Sequence, residues 1–163
     1  SDVEKVVTLL SNNLSVPEGF HGHNNLSLSV YNSIVALQAG AQIIDASIKG
    51  FGAGAGNTPL EVLVGILTKY NFDTGIDLYK VLDLADLAEE KLIEKPITIS
   101  PLSIVGGLSS VFSAFSNQIK TVSREYNVDP RDVFFELGKE KVIGGQEDKI
   151  VEVAIRLSKR LGK

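Results

Sequence analysis

Apolar residues recur at helical spacing from the start of the chain. Ser1 followed by Val3, Val6, Val7, Leu9 and Leu10 predicts an amphipathic helix over about residues 1–14, capped by Ser1 and broken by Pro17 and Gly19. Leu26, Val30, Ile34 and Leu37 keep the same period and predict a second helix over 26–39, with Gly40 turning the chain out of it. Between them, Phe20 to His23 is a short extended segment. Residues 41–48 read as a buried strand, 50–56 as a glycine-rich loop, and a third helix starts near Pro59, a favoured first helical residue. Strand and helix alternate here as in the βα units of a parallel sheet.

From about residue 75 the period is helical throughout. It predicts a helix over 76–93, a connector at 96–101, one long helix over 102–126, and two more over 132–137 and 146–161. Two strands are too few for a closed (β/α)8 barrel, which takes roughly 250 residues. A two-stranded parallel sheet also leaves its edges and one face uncovered. The first half therefore reads as part of a sheet. The chain has no methionine, even at position 1, and Ser1 leads at once into a helical pattern, so the expectation is a segment cut from something longer.

Composition narrows the function classes. The 163 residues, 44% hydrophobic and 22% charged, suit a globular chain with a core. A net charge of -4 with no basic run argues against nucleic acid or membrane surface as partner. Cysteine is absent, which removes disulfides, thiolate metal sites and a cysteine nucleophile. With no membrane-length apolar run and no signal-peptide pattern, the expected location is cytoplasmic.

The chain's two histidines both fall in Gly19-Phe20-His21-Gly22-His23-Asn24-Asn25. On a strand, residues i and i+2 share a face, so His21 and His23 project together as a chelating pair suited to a divalent transition metal. The other reading is two polar residues bonded to backbone or water. Two ligands are too few for a tight site, so a further one must come from elsewhere. Asn24 and Asn25 are donors that support the metal's ligands or caps of the following helix, with capping assigned to Asn25. Asp45, in the second strand pattern, either reaches a metal or makes a structural hydrogen bond. Gly50 to Thr58 has the form of an anion-binding loop but completes neither a Walker nor a dinucleotide fingerprint, so it reads as a tight structural loop. Ile104, Val105, Leu108, Val111, Phe112 and Phe115 read as core first and as a partner interface second.

In combination, Gly19 to Asn25, Asp45-Ala46-Ser47, the run Gly52 to Glu61 (GAGAGNTPLE) and Gly144 to Asp148 (GGQED) resemble the C-terminal half of 4-hydroxy-2-oxovalerate aldolases, in the same order and over essentially the whole chain. The resemblance implies an α/β fold: the C-terminal part of a TIM (β/α)8 barrel over 1–95, followed by an all-α helical communication domain over 96–163. It implies a carbon–carbon lyase, cleaving 4-hydroxy-2-oxovalerate to pyruvate and acetaldehyde in aromatic catabolism. Mn2+ or another divalent metal is the implied cofactor, held by His21 and His23 with an aspartate of the absent N-terminal barrel half. Asn25 and Asp45 are placed near that metal or the substrate. The implied partners are the N-terminal barrel half and an acylating acetaldehyde dehydrogenase that docks on the helical domain and receives the aldehyde by channelling.

The chain also departs from the family pattern. The family's aspartate ligand, arginine and N-terminal histidine have no counterpart here, so the 163 residues alone are expected to be inactive. The family's active-site tyrosine falls on Phe112, which has no hydroxyl. The alternatives are an acyl-transferring synthase of the same metal-dependent barrel group and a non-catalytic interaction module.

Overall fold

A computed structural model describes residues 1–162, and the chain divides after Thr98 into two compact units. The first begins with α1 (Asp2–Asn13), started by a capping box in which the Ser1 hydroxyl accepts from the Glu4 amide. Then come β1 (Gly19–His21), α2 (Ser29–Gln38), β2 (Ile43–Asp45), a 3₁₀ turn (Ile48–Gly50), α3 (Leu60–Lys69) and α4 (Leu78–Lys91). The strands pair in parallel, with Gly19 opposite Ile43, Phe20 opposite Ile44 and His21 opposite Asp45. Gly40, at a φ of 116°, turns the chain out of α2 while the Ala41 amide reaches back to the Ala36 carbonyl.

The two faces of this sheet differ. Phe20 and Ile44 turn towards α1 and α2 and pack with Val3, Val7, Ala36, Ala39 and Ala41. Gly19, His21, Ile43 and Asp45 point the other way and are exposed, Ile43 by 56%. A parallel sheet ordinarily has both faces covered. Among the described residues this face has no cover. On α1, Val6, Leu9 and Leu10, expected on its apolar face with Val7, are exposed, leaving Val7 as its buried residue.

Several element boundaries move. The strand expected over 41–48 shrinks to Ile43–Asp45, because Lys49 takes a left-handed φ of 54° inside the 3₁₀ turn. The helix expected over 26–39 starts at Ser29, after Ser27 takes a φ of 59°. Pro59 is the N-cap of α3 rather than its first helical residue.

The second unit holds α5 (Pro101–Ser109), a 3₁₀ turn (Ser113–Phe115), α6 (Ser116–Glu125), α7 (Pro130–Lys139) and α8 (Asp148–Arg160). The single helix expected over 102–126 is therefore two. Unbroken, its 25 residues would run about 37 Å, too long for a unit of this size to cover. The break is built by Ser110 in the left-handed region, with the Val111 amide closing onto the Gly106 carbonyl and the Ser109 hydroxyl bonded back to the Val105 carbonyl at 2.8 Å. Both halves then pack on α7, and Val111, Phe115, Ile119, Phe134, Leu137, Ile150 and Val153 close one buried cluster. Ile104, Leu108 and Phe112, expected in that core, are exposed instead.

Gly138 lets α7 lie against the end of α5: a Cβ there would meet Ser109 Cβ at 3.0 Å and overlap its carbonyl. Gly138→Ala is expected to destabilise the second unit by about 1–3 kcal/mol, read from the urea midpoint of the isolated chain.

Candidate metal centre

β1 ends at His21, and the chain continues through buried Gly22 to His23, which forms an antiparallel bridge with Asn57. The Thr58 amide donates to the Gly22 carbonyl at 2.9 Å and the Asn24 amide to the Gly56 carbonyl at 2.8 Å. A second bridge, parallel, joins Ser47 to Pro59. The glycine-rich loop is thus folded back as a third layer of backbone along the ends of β1 and β2.

Glycine is required in that loop for a steric reason. Gly56 has a φ of 85°, and a Cβ on it would overlap the Gly50 carbonyl, which already accepts from the Asn57 amide at 2.8 Å. The loop's outgoing end is fixed by side chains: the Ser47 hydroxyl donates to the Phe51 carbonyl, and the Asn57 amide group to the same oxygen. Lys49 is pinned twice. Its amide donates to Glu61 Oε2 at 3.0 Å, and its ammonium pairs with Glu89 at 2.6 Å, which raises the Lys49 pKa above the ordinary lysine value. The amides of Gly50, Phe51, Gly56 and Asn57 are spent on backbone carbonyls.

The imidazoles of His21 and His23 lie edge to face, ring centroids 4.9 Å apart and planes at 81°. His21 Nδ1 stands 2.7 Å from Asp45 Oδ2. A carboxylate only accepts, so in this bond Nδ1 carries the proton. The strand register places them so: His21 and Asp45 are directly opposed on neighbouring parallel strands and share the open face. His21, His23 and Asp45 are thus brought together.

Asn25 is half-buried on the turn that follows. At the start of α2, Asn24 Oδ1 accepts from the Ser29 amide at 3.3 Å and the Ser29 hydroxyl at 2.9 Å. Phe112 belongs to the second unit, where its ring meets Phe115 edge-on at 5.6 Å.

The donor set fits a divalent transition ion in part. Two adjacent imidazoles, one with its tautomer set by a carboxylate, are apt ligands. Among the described residues, however, no group of three or more His, Asp or Glu side chains converges as a cage. A closed or catalytic site takes at least three protein ligands, so the pair is an incomplete one.

Sequence reasoning missed the residues beneath the pair. Ser29, Ser33 and Thr58 are fully buried, and the Ser33 hydroxyl contacts Thr58 Oγ1 at 3.0 Å. The signal was the i, i+4 spacing of Ser29 and Ser33, which with Ala36 forms the inward stripe of α2. The apolar stripe of Val30, Ile34 and Leu37 instead lines a groove of about 820 Å³ with Ile66 and Tyr70.

Comparison with known proteins agrees with this architecture. A family model described as HMGL-like matches residues 1–88, and one described as DmpG-like communication domain matches 97–159. The 4-hydroxy-2-oxovalerate aldolase of Pectobacterium atrosepticum is 57% identical over 98% of this chain and 46% of its own length. Those of Streptomyces tendae and Geobacillus stearothermophilus are 54% and 45% identical, over 96% and 98% of this chain and 44% and 46% of theirs. The chain thus spans about half the length of the curated relatives it matches. A crystal structure of the N-terminal domain of a protein assigned as an aldolase, from Bacteroides vulgatus, superposes with a TM-score of 0.62 at 31% identity, covering 77% of this chain and 41% of that one. With more than half its residues matched by the barrel-family model, the chain belongs to the HMGL-like family.

Proposed function

We propose that these residues are the C-terminal part of a divalent-metal-dependent aldolase that cleaves 4-hydroxy-2-oxovalerate to pyruvate and acetaldehyde. The observation that carries the reading is the His21–His23 pair, oriented by Asp45, on the open face of a sheet whose relatives are named for that aldolase. In this reading His21 and His23 supply two imidazole ligands to Mn2+ or a similar ion, and a carboxylate from the N-terminal barrel half supplies a third. Such an ion would contribute Lewis-acid polarisation of the substrate's keto and carboxylate oxygens.

The chain's own residues then have defined parts. Asp45 holds the His21 proton on Nδ1, so that Nε2 stays available as a ligand. Ile43, apolar and two residues before Asp45, stands on the same exposed face. Cleavage removes the proton of the C4 hydroxyl, breaks the C3–C4 bond and returns a proton to C3. The Phe112 ring can neither donate nor accept a proton, so it takes no part in these transfers.

The helical unit is the docking surface for an acylating acetaldehyde dehydrogenase that takes the aldehyde onward. Support comes from the communication-domain match and from exposed Ile104, Leu108 and Ile143, apolar side chains that a partner would cover.

The test is made on the chain alone and joined to the N-terminal half of the Pectobacterium relative. Pyruvate release coupled to lactate dehydrogenase should be absent from the chain alone and present, with added Mn2+, in the joined protein. Robust turnover by the 163 residues would overturn the reading. In the joined protein, His21→Ala with His23→Ala is expected to cost more than about 100-fold in turnover, and Asp45→Asn about 10-fold in Mn2+ affinity, measured from the free Mn2+ signal in electron paramagnetic resonance.

A further inference from the structure

We infer that the buried hydroxyls of Thr58 and Ser33 are positioning groups for the histidine pair, acting through the carbonyl of the glycine between the two imidazoles. This rests on the reading of His21 and His23 as a ligand pair.

The geometry begins at Gly22. Its carbonyl accepts from the Thr58 amide at 2.9 Å and lies 3.3 Å from Thr58 Oγ1. Thr58 Oγ1 in turn contacts Ser33 Oγ at 3.0 Å, and Ser33 Oγ stands 2.8 Å from the Ser29 carbonyl, one turn back on α2. Each hydroxyl has a single proton. The shorter contact assigns the Ser33 proton to the Ser29 carbonyl, and the Thr58 proton to Ser33 or to Gly22. Two protons thus serve three contacts: with the Thr58 proton on the Gly22 carbonyl the Ser33–Thr58 contact carries none, and with it on Ser33 the Gly22 carbonyl is held by the Thr58 amide.

Shape says the same. A Cβ on Gly22 would lie 2.9 Å from Thr58 Oγ1, 3.0 Å from Phe20 Cε1 and 3.4 Å from the Ser29 carbonyl. The middle residue of the motif is glycine because a hydroxyl is pressed against its Cα. Thr58, Ser33 and Ser29 are all 0% exposed, in a place where apolar side chains would pack without any need for partners. Three buried hydroxyls are hard to explain as packing. They are explained as a rigid seat, since hydrogen bonds fix direction as apolar contacts do not.

The seat also acts from both flanks. Asn24, immediately after His23, is held at its amide by the Gly56 carbonyl and at its side chain by Ser29. One side of the seat thus fixes the peptide before His23, the other the peptide after it. Those two peptides set where the Cα–Cβ bonds of His21 and His23 point, from which the rings reach their edge-to-face contact.

The experiment uses the 163-residue chain itself, with Thr58→Val, Thr58→Ser and Ser33→Ala. Three quantities are read: the melting temperature, the His21 and His23 ring resonances with their inter-ring NOE, and the broadening of those resonances by added Mn2+. Thr58→Val is expected to move both ring resonances and to raise the Mn2+ concentration for half-maximal broadening about tenfold. Thr58→Ser, which keeps the hydroxyl, should stay near the unsubstituted chain. If Thr58→Val lowers the melting temperature but leaves rings and broadening unchanged, the hydroxyls are structural only and the proposal fails. It fails too if Thr58→Ser perturbs the rings as much as Thr58→Val. Should Thr58→Val not fold, Ser33→Ala decides by the same criteria. Rings that move in Thr58→Val, in a chain whose own imidazoles Mn2+ never broadens, would uphold the seat and remove the metal reading.

Discussion

The Thr58 amide donates to the Gly22 carbonyl at 2.9 Å, joining stretches 36 residues apart in sequence. The histidine segment, the glycine-rich loop and the start of α3 take their places around that bond. With the Asn24–Gly56 bond and the His23–Asn57 bridge it ties the loop of 50–56 to the histidine segment. A bond between two backbone groups contributes only about 1 kcal/mol net. Its importance lies in being buried, where leaving either group unpaired costs more than the bond contributes.

A second constraint is the unequal clothing of the sheet. Phe20 and Ile44 meet helices, while Ile43, His21 and Asp45 meet solvent. His21 and Asp45 of the candidate site stand on that uncovered face, beside exposed Ile43.

Much of this was legible in the sequence, and the exceptions share a cause. The existence of the helices followed from local period and caps; α4 and α8 fell within two residues of the expected bounds, as strongly periodic elements do. The pairing of His21 with His23 was drawn from strand alternation, whereas the place of Asp45 beside His21 comes from the register of β1 on β2. The single helix over 102–126 failed because nothing local forbids it; the break at Ser110 answers to the size of the unit, a tertiary constraint. The exposed faces of α1 and α5 failed for the same reason, since periodicity names an apolar stripe without saying what covers it. Ser29 and Ser33 were overlooked because an inward stripe of small polar residues runs against the rule that apolar residues face in. Their burial is understood only once Thr58, 25 residues from Ser33, is placed beside them.

The second unit's continuous core carries a temporal consequence. Val111 to Ala154 form one dense cluster, while α1, α2 and the sheet share the small one around Val7, Ala36 and Ala41. The backbone of α1 and α2, held by few buried neighbours, should therefore open and exchange its amide protons with solvent sooner than that of α7 and α8, which carry Val133, Phe134, Leu137, Ile150 and Val153.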